Sequence, residues 1–294
     1  MSEFKYKKLF TPIKIGNLVL KNRIIAAPAS ILWIARDGSL TPETIAFYEQ
    51  AAMGGAAVVT YGETIVHEAT GESHDRQTCI DDPQSLVSLS QYARAIHRHG
   101  AFASAELSHG GKFGGLSSLS GTQKVGRVAY GPSHEITPEG EVFEMPRELI
   151  LEIIEAFGKG AATLKRIGYD MCMVHAGHGW LFSQFLSPKS NRRTDEFGGS
   201  FENRARLLVM ALESIRRHAG ADFPIEVRIS GDEFADGGMT LEDSKRLVKL
   251  IEDKCDLINV SAGRHEGIDL FIRTHPTSYL PPGPNVYLAE EIRK

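Results

Sequence analysis

Short apolar runs rich in β-branched residues alternate along this chain with longer stretches whose apolar positions recur at helical spacing. Such alternation marks βα units built on a parallel sheet. Ile24 to Pro28 predicts a first strand. Pro42 to Met53 predicts a helix, with Thr41 as N-cap and a proline where its missing N–H costs nothing. Ala56 to Tyr61 predicts strand two. Asp82-Pro83 repeats the cap-plus-proline start before a helix from Leu86 to His99, and Ala101 to Leu107 predicts strand three. Strands four, five and six are expected at Tyr169 to His175, Ile225 to Ile229 and Leu257 to Val260. Pro146 opens a helix whose Leu149, Ile150, Ile153, Ile154 and Phe157 follow a helical period. Phe201 to His218 predicts another helix. Thr240 caps a third, with Asp243 in the Glu position of a capping box. Asn285 to Lys294 has the character of a further helix start.

The strand segments are near-continuous apolar runs, as expected of parallel strands buried on both faces. Two architectures fit: a doubly wound open sheet and a (β/α)8 barrel. No G-x-G-x-x-G follows the first strand, which weighs against a dinucleotide-binding open sheet. The favoured class is α/β, a TIM (β/α)8-type barrel with about six of its eight βα units. No linker divides the chain, so residues 1–294 are expected to form a single domain. Pro281-Pro282-Gly283-Pro284 reads as a βα loop. Ser108 to Met145, with eight glycines, reads as a long loop of the functional or mobile kind.

Charge and cysteines remove several classes. A net charge of -4 offers no basic field to nucleic acid or an anionic membrane. No apolar run approaches the roughly 18 residues of a membrane helix. Met1 to Lys8 is polar and lacks the apolar centre of a secretory signal. Cys79, Cys172 and Cys255 lie far apart without C-x-x-C spacing, so no zinc or iron–sulfur ligand set is implied. Reduced thiols in the cytoplasm are expected.

In parallel barrels chemistry gathers at the C-terminal strand ends. Here those ends carry Pro28-Ala29-Ser30, Gly62-Glu63-Thr64, Glu106 to Gly111, His175 to Trp180, Arg228 and Ser261 to Arg264. His175 and His178 are spaced to aim both rings into one pocket. Three readings stay open for them: loop histidines bonded to backbone, a metal pair awaiting a third ligand, or neutral donors holding a carbonyl or oxyanion. Arg228 sits inside an apolar strand and needs a partner, either a structural acid such as Glu106 or Asp232, or an anionic ligand. Phe185 to Ser200 is dense in polar and turn residues. By itself it reads as a surface loop with an Asp195–arginine pair and a glycine turn.

Taken together, several segments resemble the Old Yellow Enzyme family, in the branch of NADH:flavin oxidoreductases related to 2,4-dienoyl-CoA reductase. The matching stretches are Leu9-Phe10-Thr11-Pro12, Ile15-Gly16, Leu20 to Ile24 and Ala27-Pro28. The most specific is His175-Ala176-Gly177-His178-Gly179, followed by Gln184 to Pro188, Asn191 to Asp195, Gly198-Gly199-Ser200 and Glu202-Asn203-Arg204. The resemblance implies a barrel holding FMN non-covalently. It implies hydride transfer from NADH or NADPH to the flavin and then to an activated alkene conjugated to a carbonyl. Pro28, Ala29, Ser30, Gly62, Glu63, Glu106 and Arg228 would contact the flavin, Arg228 at its N1/O2 edge. His175 and His178 would hold the substrate oxygen, beside Trp180.

Three departures qualify that picture. The family places Gln where Glu106 stands, so either a raised Glu106 pKa or a lowered flavin potential is expected. Related reductases carry a proton-donating Tyr where Trp180 stands, and an indole N–H is no acid near neutrality. Oxidative dehydrogenation or demethylation therefore stays open as an alternative to ene-reduction. Finally, the chain is shorter than the family's barrel, so the flavin domain is expected to be incomplete at its C-terminus. An iron–sulfur cluster and FAD are expected only with a further C-terminal region. Weak FMN binding, self-association into a homo-oligomer, or a non-catalytic barrel fragment follow as expectations.

Overall fold

The computed structural model describes residues 5–31, 33–74, 76–116 and 127–294. An N-terminal antiparallel hairpin, β1 (Ile13–Ile15) and β2 (Leu18–Leu20), precedes the main fold. There follow β3 (Ile25–Ala26), α1 (Pro42–Met53), β4 (Val58–Ile65), α2 (Glu68–Gly71), β5 (Thr78–Cys79), α3 (Ser85–His97) and β6 (Phe102–Ser108). A small sheet of β7 (Ala129–Gly131), β8 (Glu135–Thr137) and β9 (Gly140–Glu144) is inserted before α4 (Arg147–Arg166). The chain continues through β10 (Met171–Ala176), α5 (Leu181–Leu186), α6 (Phe201–Ala219), β11 (Ile225–Ser230), α7 (Leu241–Ile251), β12 (Leu257–Ser261), α8 (Ile268–Thr274) and α9 (Val286–Arg293).

Six strands form one parallel sheet in the order β12-β11-β10-β6-β4-β3, with β5 added beside β4. This is the curled α/β sheet of a TIM-type barrel, and its strands are the six expected from the apolar runs. Central strand β10 is buried at every position. Helices α4 and α6 pack against each other outside it, burying Ile150, Ile153, Ile154 and Phe157 with Leu207, Leu208, Ala211, Leu212 and Ile215. The hairpin forms a plug at the N-terminal strand ends. Its Ile15 and Leu20 cluster with Val58 and Met171, the latter at the start of β10, against Ile25, Phe102 and Leu257. Residues from five barrel strands are thus tied together below the site.

The local starts and stops follow known chemistry. Thr41 Oγ1 accepts from the Thr44 N–H, and Pro42 is the first residue of α1. Ser200 caps α6 through the Asn203 N–H. Thr240 and Asp243 form the reciprocal capping box of α7. Two expectations need correction. Asp82-Pro83 does not start α3: Asp82 Oδ1 accepts from Gln84 N–H in a turn, and the helix begins at Ser85. Ser108 to Met145 is not structureless: its described part folds into β7, β8 and β9, because Val142 and Ala129 bury apolar side chains with Leu116. Residues 117–126 of that expected loop lie outside the described residues. No described helix is long and apolar enough to cross a membrane.

Candidate active site

Register puts the functional side chains on the inner face. Met173 of β10 lies opposite both Glu106 of β6 and Glu226 of β11, forming one layer of the barrel interior. His175 and Arg228, also paired across β10 and β11, form the layer above. This is the period-2 alternation of strands placing every second residue inside.

A cavity of about 310 Å3 opens at this level, of the size of a small ligand pocket. Pro28, Ala29 and Ser30 line one wall, and Glu63, Glu106 and Arg228 another. His175, His178 and Trp180 complete it, together with His265, Thr274 and His275. Gly62 lies directly behind the Pro28 wall: a Cβ there would come within 2.3 Å of Pro28 Cβ, so only glycine fits. The Tyr48 hydroxyl locks these two strand tips, donating to the Ala29 carbonyl and accepting from the Gly62 N–H at 3.3 Å. The ten residues singled out from sequence therefore meet in one place. Tyr48 went unrecognised, whereas His265, Thr274 and His275 fall in the Arg264 to Pro284 region, which the sequence marks as pocket-lining without singling out these three. His265 lies four residues beyond the end of β12, brought in by bridge pairing of His178 with Arg264 and by its own N–H bonding the His178 carbonyl at 3.0 Å.

Arg228 takes the expected acid as partner. Its Nη1 lies 3.5 Å from Glu106 Oε1, and His175 Nδ1 lies at the same distance from that oxygen. Asp232 serves instead as an acceptor for the Phe234 N–H. Even so, Glu106 Oε1, His175 Nδ1 and Arg228 Nε are buried and make no hydrogen bond among the described residues. Buried polar groups are normally satisfied, and several facing one cavity call for a ligand. His178 adopts a left-handed φ of 60°, held by Ser230 Oγ accepting from its N–H at 2.9 Å and by Ser261 Oγ at 2.7 Å from its Nε2.

Burial controls the protonation states. It pushes His175 and His178 well below the usual imidazole range, with the Arg228 charge adding to the effect, so both are neutral near pH 7. His265 is pushed down to about 4 by burial and then by His275 and Arg228. Burial and then the Glu106 charge push Glu63 up to about 7. Glu106 is also raised by burial, against the pull of Arg228.

The Phe185 to Ser200 stretch behaves differently from its surface-loop reading. Asn191 Nδ2 donates to the Phe185 and Phe197 carbonyls at 2.7 and 2.8 Å. Arg193 is buried, bonded to Asp195 and to the Pro132 and Met145 carbonyls. The Asp195–arginine pair and the glycine turn are present, with Arg193 buried, Asp195 half-buried and Gly199 at the surface. Next to them Glu233 accepts from Ser183, Ser187, the Met239 N–H and Arg264, whose side chain is fully buried. Among the described residues no group of three or more His, Cys, Asp or Glu could hold a metal ion, so the His175–His178 pair finds no third ligand there.

Residues 8–268 match the NADH:flavin oxidoreductase / NADH oxidase family. The chain belongs to that family. It is similar to the NADH oxidase of Thermoanaerobacter brockii, with 34% identity over 98% of this chain and 44% of the relative. It is similar also to the NADPH dehydrogenase of Bacillus subtilis, with 31% identity over 98% of this chain and 80% of the relative. Among solved structures, a 2-naphthoyl-CoA reductase in complex with 2-naphthoyl-CoA matches with a TM-score of 0.87 and 30% identity, covering 98% of this chain and 45% of that one. An Old Yellow Enzyme from Pichia sp. AKU4542 shares the fold, with a TM-score of 0.78 at 23% identity over 97% of this chain and 80% of that one. The family resemblance drawn from the motifs is borne out. The chain spans less than half the length of the NADH oxidase and of the naphthoyl-CoA reductase.

The residues present suit a flavin. Cation, carboxyl and imidazole with free valences face a cavity walled by strand-tip backbone, the donor set that a heteroaromatic ring with several carbonyl and nitrogen acceptors requires.

Proposed function

We propose that this chain forms the flavin-binding barrel of an oxidoreductase that passes hydride from NADH or NADPH, through non-covalent FMN, to an activated alkene of the enone, enoate or dienoyl type. The observation that carries this reading is the set of unsatisfied polar atoms on Glu106, His175 and Arg228, from three strands, around one cavity. FMN would supply the N5 position that accepts and returns the hydride.

Pro28 to Ser30, with Gly62 and Glu63, would form the backbone wall against the ring. Arg228 offers a fixed positive charge to the ring edge, where electron gain builds negative charge. Glu106, if protonated, can donate as well as accept there, doing the work of the amide it replaces. His175 and His178 would bind the substrate oxygen. With Ser261 at its Nε2, His178 keeps Nδ1 for this task, and as neutral imidazoles both donate without adding charge. Trp180 shapes the pocket. Glu63, pushed to about 7, is the wall residue that holds a transferable proton near neutrality.

The test is an absorbance spectrum of the purified protein with FMN, followed by anaerobic NADPH and then 2-cyclohexenone. The flavin band should bleach with NADPH and return with the enone. A protein that retains no flavin, or a bound flavin that NADPH leaves oxidised, overturns the proposal. A second reading, oxidation of substrate by the flavin, is favoured by Trp180, whose indole supplies no proton. Anaerobic bleaching by an amine, with no recovery on the enone, selects it.

A further inference from the structure

On the far side of Trp180 and His265 lies a second cavity, of about 430 Å3. Both rings belong to the walls of both cavities and pack edge-on with centroids 5.4 Å apart, so they partition one continuous space. Phe113, Leu116 and Pro138 give the outer cavity an apolar wall, and Phe113 packs against Trp180 at 5.6 Å. Gln184 Oε1 accepts from the Lys112 N–H at 3.0 Å, which fixes the backbone from which Phe113 projects.

The charge of this cavity is decided by pairing. Lys112 Nζ lies 2.9 Å from Glu135 and 2.6 Å from Glu266. Glu266 also meets Arg264, which is shared with Glu233. Burial alone would push the Glu266 carboxyl up, but Arg264 and Lys112 hold it below the usual range, so it is ionised. Glu139 faces the same cavity and is exposed. Among the described residues, two cations (Lys112 and Arg264) stand against four carboxylates (Glu135, Glu139, Glu233 and Glu266), a balance of two negative charges. Lys112 therefore has no charge to spare for an anion.

We propose that the outer cavity is a second substrate subsite that takes a planar apolar group, neutral or cationic, and rejects a carboxylate. This deepens the flavin reading above and rests on it. A flat ring would lie in the outer cavity against the joint wall of Phe113, Trp180 and Pro138 while the reacting end reaches past Trp180 to the histidine pair. A carboxylate would lose water in a space of like charge, the repulsive element from which specificity is built.

Isothermal titration of the FMN-loaded protein tests this with three probes that share one enone end and differ only at the far para position of the ring, the end that the outer cavity would hold: 4-carbamoyl-, 4-(dimethylaminomethyl)- and 4-carboxybenzylideneacetone, an amide, an amine and an acid. The amide and the amine should bind at least about tenfold more tightly than the acid. Glu139→Lys, at an exposed turn position, should weaken the amine and strengthen the acid by about threefold each, with the flavin spectrum unchanged. Equal binding of all three probes, a preference for the acid, or a Glu139→Lys protein with unaltered preferences overturns the proposal. The two readings fail separately: loss of charge preference with a flavin that NADPH still reduces removes the subsite alone. A retained preference on protein that holds no flavin keeps the subsite and removes the flavin reading.

Discussion

Two regions of this protein are rich in polar residues, and they use them in opposite ways. Around Glu233 every buried oxygen and guanidinium is answered from within the chain: two serines, one backbone N–H and Arg264 converge on a single carboxylate. Around Glu106 the same chemical types end with atoms that none of the described residues answers with a hydrogen bond. The first region is architecture, fixing the loop after β10 and the tip of β12. We read the second as a site, because its unpaired donors and acceptors come from three strands and face one cavity, where a ligand would complete them. Density of polar residues does not separate the two; satisfaction does.

The contrast can be broken most forcefully at Glu233. Glu233→Ala removes the acceptor shared by Ser183, Ser187 and the Met239 N–H and leaves the buried Arg264 with Glu266 as its remaining acid, and urea unfolding should show a loss of about 3 kcal/mol, the order expected when a buried hydrogen-bonded pair loses one partner. A midpoint close to the wild-type value would mean that the network is not structural.

Glu226 is an intermediate case, in the layer of Glu106 but outside the cavity lining, with Asn259 donating to one oxygen and none of the described residues bonded to the other. Burial raises it from the ordinary 4.5 to about 7. The folded state therefore keeps a proton that the unfolded chain has lost. This contribution to stability is complete below about pH 4.5 and disappears as the pH climbs through 7. Glu226→Gln should raise stability at pH 8 by about 2–3 kcal/mol and flatten the profile between those limits. Parallel wild-type and variant profiles contradict this account of the buried layer.

The smallest effect is expected at Glu106. Replacing a carboxyl by the amide should move the potential of bound flavin upward by tens of millivolts, on the order of 30 mV per 1.4 kcal/mol for two electrons. An unmoved or lowered potential in Glu106→Gln would show that the carboxyl is already protonated when the flavin is oxidised.

Much of this was legible in the sequence, for physical reasons. Buried parallel strands have to be apolar on both faces, so an arginine within Val227-Arg228-Ile229 and a glutamate at 106 were conspicuous. Cap chemistry marked the Thr41-Pro42 and Thr240 helix starts, because a helix start needs a side-chain acceptor. Two kinds of information were hidden. Whether a polar group is satisfied depends on partners distant in sequence, so the Asn191-to-Asp195 motif read as a solvated loop although Arg193 is buried. Elements stabilised by tertiary contact, such as the hairpin plug and β7 to β9, carry weak local signals. His265 and His275 lie beyond the last strand tip, and only the pairing of His178 with Arg264 brings that loop over the cavity.

The central claim, that the unanswered atoms around Arg228 are a binding site and not a structural defect, is tested most directly by one paired measurement. FMN affinity, from quenching of flavin fluorescence, and the urea midpoint are determined together for the wild type and Arg228→Met. The account predicts FMN binding weakened on the order of a hundredfold, with stability held within about 1 kcal/mol, since Glu106 can take up a proton in place of its partner. Unchanged FMN affinity, or a collapse in stability like that expected of Glu233→Ala, would contradict it.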